Sequence, residues 1–307
     1  MGKSIYDKQQ DPLIIQCLFA QRNKYTQAKR LSAVYFIICG ILAVVFLVLK
    51  SITGNHVVQG VSIGISIASV FLKDTFTRMI SSLKDTAAGI QQYIDTTLFS
   101  RNDNNLTQYT WKCPFGKDDI IEKVSIYPQS GFNENDRWYE DYSKEVFCRQ
   151  IVLCQKESIR WDRKLRKKFL VSLYFIIISV VLLNLIFGII LNQSVLDYLS
   201  TISWCLPFLR MLYEYKKALK EDEVRLNGLT NTVNNLLNNY GMVLTEDEMI
   251  EKEKELQDRI YEHRRRAFLI PNFFYKLFRS KQQKEEQAIA ANYKGEYAND
   301  TRDSKSN

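Results

Sequence analysis

A chain of 307 residues with 46% hydrophobic and 25% charged residues and a mean hydropathy of -0.22 has the bulk composition of one or two soluble domains. Twelve glycines and five prolines are too few for a loop-rich all-β fold or a dinucleotide-binding enzyme and favour long helices. Two histidines (His56, His263) and six cysteines with no CxxC pair leave little for a histidine triad, a zinc ribbon or a disulfide framework, and they suit a reducing compartment.

The first 30 residues predict an amphipathic helix begun by Asp11 as N-cap and Pro12 at the first helical position. Leu31 to Leu49 then runs 19 residues without a charge, about 28 Å of helix against a hydrocarbon core of roughly 30 Å. After a short loop, Val57 to Leu72 is a weaker apolar stretch, giving a first transmembrane hairpin over 31–72. Phe169 to Leu191 is a second uncharged run, of 23 residues, followed after Asn192–Ser194 by the weaker Val195 to Tyr213, giving a second hairpin over 169–213. A buried pair of soluble helices is the competing reading of the two weaker spans.

The segments between and after the hairpins are charged. In 73–168, Phe76, Ile80, Leu83, Ala87, Ile90 and Ile94 form a heptad-like stripe, and an irregular insertion over about 100–150 follows, with a short strand at Val124, Ile126 and Tyr127. A helix from Cys154 to Lys168 leads into the second hairpin. In 214–279 the stripe Leu212, Tyr215, Leu219, Leu226, Leu229, Val233, Leu236 and Tyr240 is similar, with one position skipped. Either stripe serves packing within one subunit or a coiled coil between subunits. Thr245 and Glu248 make a capping box, and HRRRAFLIPNFFYKLFR is either an interfacial segment or a packing surface. A polar tail fills 280–307, without structure from about Tyr293. The fold class is thus an all-α membrane protein with two helical hairpins, long cytoplasmic helices and a small insertion.

Forty-one of the 42 bases lie outside the two hairpin loops, Lys50 being the exception. Short loops that stay in the cytoplasm keep Lys and Arg, so both termini and the middle segment are expected in the cytoplasm. The net charge of +8 therefore reports orientation, and DNA or RNA binding is not needed to explain it. Gln59, Ser62, Ser66 and Ser69 on the second span and Ser200 and Ser203 on the fourth are pore-lining candidates; close helix packing is the other use of such a stripe. Arg149, Lys156, Arg160, Arg163 and Arg166, close in sequence to Trp138, Tyr139 and Trp161, offer anion contacts and stacking faces for a phosphate-bearing ligand, although bases before a span also serve as topology anchors. No catalytic constellation and no metal or cofactor site is expected.

IQCLFAQRNKYTQAKR (Ile15 to Arg30), QQYIDTTLF (Gln91 to Phe99), Trp138-Tyr139 and CQKESIRWDRKLRKK (Cys154 to Lys168) resemble the SMODS-associating four-transmembrane effectors of bacterial cyclic-oligonucleotide (CBASS) anti-phage systems. The matching motif positions are Gln21, Tyr25, Tyr93, Asp95, Trp138, Tyr139, Gln155, Glu157, Trp161, Asp162 and Arg166. Ser158 departs from the Asn expected there. The resemblance implies a homo-oligomeric inner-membrane effector, partnered with a nucleotidyltransferase and activated by its cyclic oligonucleotide to disrupt the bilayer and abort infection. An autonomous channel or transporter, or a membrane scaffold, is the alternative.

Overall fold

Asp11 starts the first long helix as its sequence predicts, accepting from the backbone N–H of Leu13 at 2.8 Å ahead of Pro12. The computed structural model describes residues 4–42, 45, 49, 56–100, 112–130, 137–190, 192, 194–239 and 246–303. These form α1 (Ile5–Lys8), α2 (Pro12–Phe36) continued by a π-helical turn (Ile37–Ile41), α3 (His56–Phe99), α4 (Lys117–Val124), α5 (Phe147–Ile190), α6 (Val195–Asn238), α7 (Glu246–Arg266) and α8 (Asn272–Asp303). The fold is all-α, with no strand among the described residues.

Three helices have 44 residues each, about 66 Å at 1.5 Å per residue. That is twice the thickness of a bilayer's hydrocarbon core, so a helix of this length that crosses a membrane also stands well out of it. Among the described residues one helix, α5, is long and apolar enough to cross. Its C-terminal half is apolar and outward-facing, with Phe175, Leu183 and Ile189 exposed. Asn192 then takes the left-handed conformation, φ 46°, which asparagine tolerates better than most residues, and the chain reverses into α6. The predicted span Leu31 to Leu49 begins in α2, and most of it beyond Leu42 lies outside the described residues, as does the capping residue Thr245. Gln59, Ser62, Ser66 and Ser69 stand on α3 and Ser200 and Ser203 on α6, with their side chains outside the described ones.

α2 packs along α3 and α5 along α6, while α7 touches α3, α5 and α6 and α8 lies on α5. Three apolar cores hold this bundle. One gathers Ile14, Leu18, Ile90, Ile94, Leu98 and Leu153 with the insertion. A second sits at the base of the α5–α6 hairpin around Phe169, Leu173, Leu212 and Phe274. In the third, the α6 stripe residues Leu226, Leu229, Val233 and Leu236 meet Val152 and Ile159 of α5 and Leu256 and Ile260 of α7. Each fully buried Leu or Ile contributes about 1.5–3 kcal/mol. This part of the stripe is therefore satisfied inside one subunit.

The insertion differs from its reading as a strand. Residues 117–124 are helix α4, with Asp118 and Asp119 in its first turn and the Gly116 N–H donating to Asp119 Oδ2 at 2.9 Å. Ile120 and Val124, four apart, both enter the first core while Ile126 stays exposed, so a helical period wins over a short apparent alternation. Gly89 marks where α3 receives this insertion, because a Cβ there would collide with the Phe115 ring. α8 likewise continues through the predicted polar tail, burying Gln282, Glu286 and Ala290.

Candidate functional site

The last turns of α3, the middle of α5 and the end of α7 bring polar side chains together where an apolar core would be expected. Asp95, fully buried on α3, accepts from Tyr139 Oη at 2.8 Å, Gln257 Nε2 at 2.8 Å and Arg264 Nη1. Gln257 also donates to Gln92 Oε1 at 2.9 Å and accepts from Gln155 Nε2 at 3.2 Å. Arg264 reaches on through its second nitrogen to Ser158 Oγ at 3.0 Å. Burial alone would lower the Arg264 pKa, but Asp95 beside it holds the guanidinium above its usual range.

One turn further along α5 lies a second ionic centre. Asp162 Oδ2 is 2.7 Å from His263 Nε2 and accepts from Arg166 Nε at 2.9 Å. Burial pushes this carboxyl up, yet Arg166 and His263 outweigh it and hold it well below the usual carboxylate range. Arg166 Nη1 donates to Asp222 of α6 and to the Phe268 carbonyl at 2.8 Å; Asp222 in turn accepts from the Phe268 N–H at 2.9 Å and from Arg225. Gln155, Ser158, Asp162 and Arg166 recur at spacings of three and four, which puts them on one face of α5. Burying such charges costs several kcal/mol per ion unless each is paired. Here the pairs tie α3, α5, α6, α7 and the turn after α7 together at one level.

At the level of the Arg166–Asp222 pair, the seam between α5 and α6 opens as a groove. Arg163, Lys164, Arg166, Lys167 and Leu170 form one wall and Leu219, Glu223, Leu226 and Asn227 the other, around a space of about 400 Å³. Lys164 is paired with Glu285 at 2.8 Å, and Arg163 reaches Thr230 Oγ1 only at 3.4 Å. Lys167 is exposed and has no ion-pair partner among the described residues. Arg166 belongs to both places, with its Nε and Nη1 in the network and its side chain lining the groove.

The other candidate ligand residues are dispersed. The Trp138 N–H donates to Gln9 Oε1 at 2.8 Å at the far end of the bundle, and buried Tyr139 is held by Asp95. Arg149 pairs with Glu145 at 3.4 Å, Arg160 with Glu286, and the Trp161 ring lies 6.3 Å from Tyr275. Burial lowers the pKa of Lys156. Arg163 and Arg166 meet in the groove, whereas Trp138, Tyr139, Arg149, Lys156, Arg160 and Trp161 do not line it. Of the motif positions, Gln21 is buried with Oε1 unpartnered, Tyr25 Oη is 3.5 Å from Gln91 Oε1 with burial raising its pKa, and Tyr93 is half-buried against the first core. Glu157 accepts from the Glu140 N–H at 3.2 Å, and burial pushes its carboxyl up to about 8.

Sequence reasoning missed Gln92, Asp222, Gln257, His263 and Arg264. One signal was present. The skipped position of the α6 stripe, three after Leu219 and four before Leu226, is Asp222, a carboxylate on a face that is otherwise apolar.

A probable CBASS effector molecule of Bacillus cereus (strain VD146) is 25% identical to this chain over 291 residues, covering 92% of this chain and 95% of the relative. No solved structure matches. Residues 3–293 match the SMODS-associating 4TM effector domain, and the chain belongs to that family.

Proposed function

We propose that the protein is the membrane effector of a CBASS anti-phage system, activated by the cyclic oligonucleotide of a partner nucleotidyltransferase. In this reading the chain crosses the bacterial inner membrane four times with both termini in the cytoplasm. Copies assemble, and the second and fourth spans, carrying Gln59, Ser62, Ser66, Ser69, Ser200 and Ser203, open a leak that aborts infection. Family membership and the relative's description support the setting. The observation that carries the gating is the continuity of α5. One unbroken helix holds Asp162 and Arg166 in the buried network, presents Arg163 and Lys167 to the groove, and goes on as the apolar segment.

The groove is the receptor site in this proposal. Arg163 and Lys167 provide cationic contacts for phosphate oxygens, Asn227 a hydrogen-bonding amide and Leu219 and Leu226 an apolar floor. A phosphate that draws Arg166 toward itself weakens the pairing of that arginine to Asp222, and α5 is then free to shift against α6. The ligand's binding energy is spent on a rearrangement only to the extent that it binds the shifted state better.

The test is purified protein in dye-loaded liposomes, titrated with cyclic di- and trinucleotides including the product of the partner enzyme. Release that depends on one of them is expected. No release with the partner's own product would refute the proposal, and equal release without any nucleotide would favour an autonomous channel.

A further inference from the structure

The turn that joins α7 to α8 sits at the foot of the apolar span. Phe169, where the uncharged run of α5 begins, has its ring centroid 5.0 Å from that of Phe274 and 5.9 Å from that of Phe268. Ile270 is buried in the same core as Leu173, one turn further into the run. From there α8 descends antiparallel to α5, since Lys168 lies over the Phe278 ring at 4.3 Å, Gln282 Nε2 donates to the Trp161 carbonyl at 3.1 Å, and Glu286 pairs with Arg160. The highest point of this chain segment is therefore level with the first turn of the uncharged run. By the helical rise, Phe273 lies within about 5 Å of the level of Phe169.

The outer side of this segment is uncovered. Phe273 is 72% and Leu277 70% exposed, four residues apart on one face of α8, while Phe274 and Phe278 on the inner face pack in the core. This apolar face is continuous in level with the exposed apolar surface of α5 at Val171 and Phe175. Residues 272–284 carry Lys276, Arg279, Lys281 and Lys284 and no acid. Apolar side chains at the level of the acyl boundary with bases just below match an anionic leaflet, whose negative surface potential attracts such residues.

We infer that the turn from Phe268 to Phe278 dips into the leaflet on the charged side of the protein, with Phe273 and Leu277 among the acyl chains and the following bases on anionic headgroups. The inference rests on α5 being a membrane span. Its consequence is that lipid touches the network through few bonds, because the Phe268 N–H and carbonyl are held by Asp222 and Arg166.

The experiment places single tryptophans in the full-length protein: Phe273→Trp, Phe175→Trp as the span reference and exposed Ile126→Trp as the distant control, each read as its increment over the wild type. The proteins are reconstituted in vesicles of phosphatidylglycerol and phosphatidylcholine whose acyl chains carry bromine as quencher. Quenching of Phe273→Trp at about half or more of the Phe175→Trp level, with Ile126→Trp unquenched, is expected for an interfacial residue. Replacing phosphatidylglycerol by phosphatidylcholine is expected to lower the Phe273→Trp signal at least about twofold and leave Phe175→Trp unchanged; no change at Phe273→Trp would overturn the headgroup contact. Quenching at Phe175→Trp without quenching at Phe273→Trp would overturn the dipping turn and assign that face to protein, such as a second copy. Loss of quenching at both would overturn the span reading as well.

Discussion

Arg166 on α5 and Asp222 on α6, 56 residues apart, form a buried ion pair that closes a ring through the backbone of Phe268, whose N–H is held by the acid and whose carbonyl is held by the base. Removing one partner of a buried pair leaves the other charge uncompensated and typically costs 3–5 kcal/mol. Arg166 keeps Asp162, which places Asp222→Asn near the lower end, about 3 kcal/mol. Thermal unfolding in detergent micelles should show a clear drop for Asp222→Asn. Lys220→Gln, two residues away on the solvent face, should leave the transition in place.

Asp95 and Tyr139 separate a neutral hydrogen bond from a charge. Tyr139→Phe removes one of three donors to Asp95 and should cost about 1 kcal/mol. Asp95→Ala leaves Arg264 buried without its carboxylate and should cost about 3–5 kcal/mol. Denaturant midpoints of the two variants should fall in that order, and equal losses would argue that the three donors act as one unit.

Glu157 makes stability depend on pH. Its carboxyl, ordinarily at 4.5, is pushed up to about 8 by burial, with Glu140 and Glu286 adding repulsion. Below 4.5 the folded and unfolded chains both hold the proton. Between 4.5 and 8 the folded chain keeps a proton that the unfolded chain has released, so this group's contribution to stability is lost as pH rises through the window and is gone above it. Glu157→Gln should flatten that part of the stability profile and unfold later than the wild type at pH 9, as followed by circular dichroism.

The groove bases can be tested apart from the bundle. In dye-release titrations with the activating nucleotide, Arg163→Gln combined with Lys167→Gln should raise the half-maximal concentration at least about tenfold, the equivalent of 1.4 kcal/mol. Exposed Lys117→Gln on α4 should leave it unchanged. An unaltered response in the double variant would move the receptor site to another surface.

Much of the fold was legible because each feature rested on local chemistry. Asp11 and Pro12 announce the start of α2, the uncharged run from Phe169 announces the apolar half of α5, and Ala87, Ile90 and Ile94 recur at the period that buries them. The strand at Val124 to Tyr127 failed for the converse reason: three residues cannot distinguish periods of 2 and 3.6, and contact of Ile120 and Val124 with the first core decided for helix.

The site was legible only in halves. Asp95, Gln155, Asp162 and Arg166 stood out as motif positions, yet their partners Gln257, His263, Arg264 and Asp222 come from helices 56 to 169 residues away. The sequence by itself determined the all-helical class, the apolar runs and, in the skipped stripe position at Asp222, that a carboxylate interrupts an apolar face. Only the tertiary structure decided that Arg166 fills that gap, that Arg160 and Lys164 are already ion-paired, and that Phe273 and Leu277 lie bare at the foot of the apolar half of α5. The physical reason is that helix periodicity is written in residues three and four apart, whereas the pairing of a buried charge depends on which helices pack together.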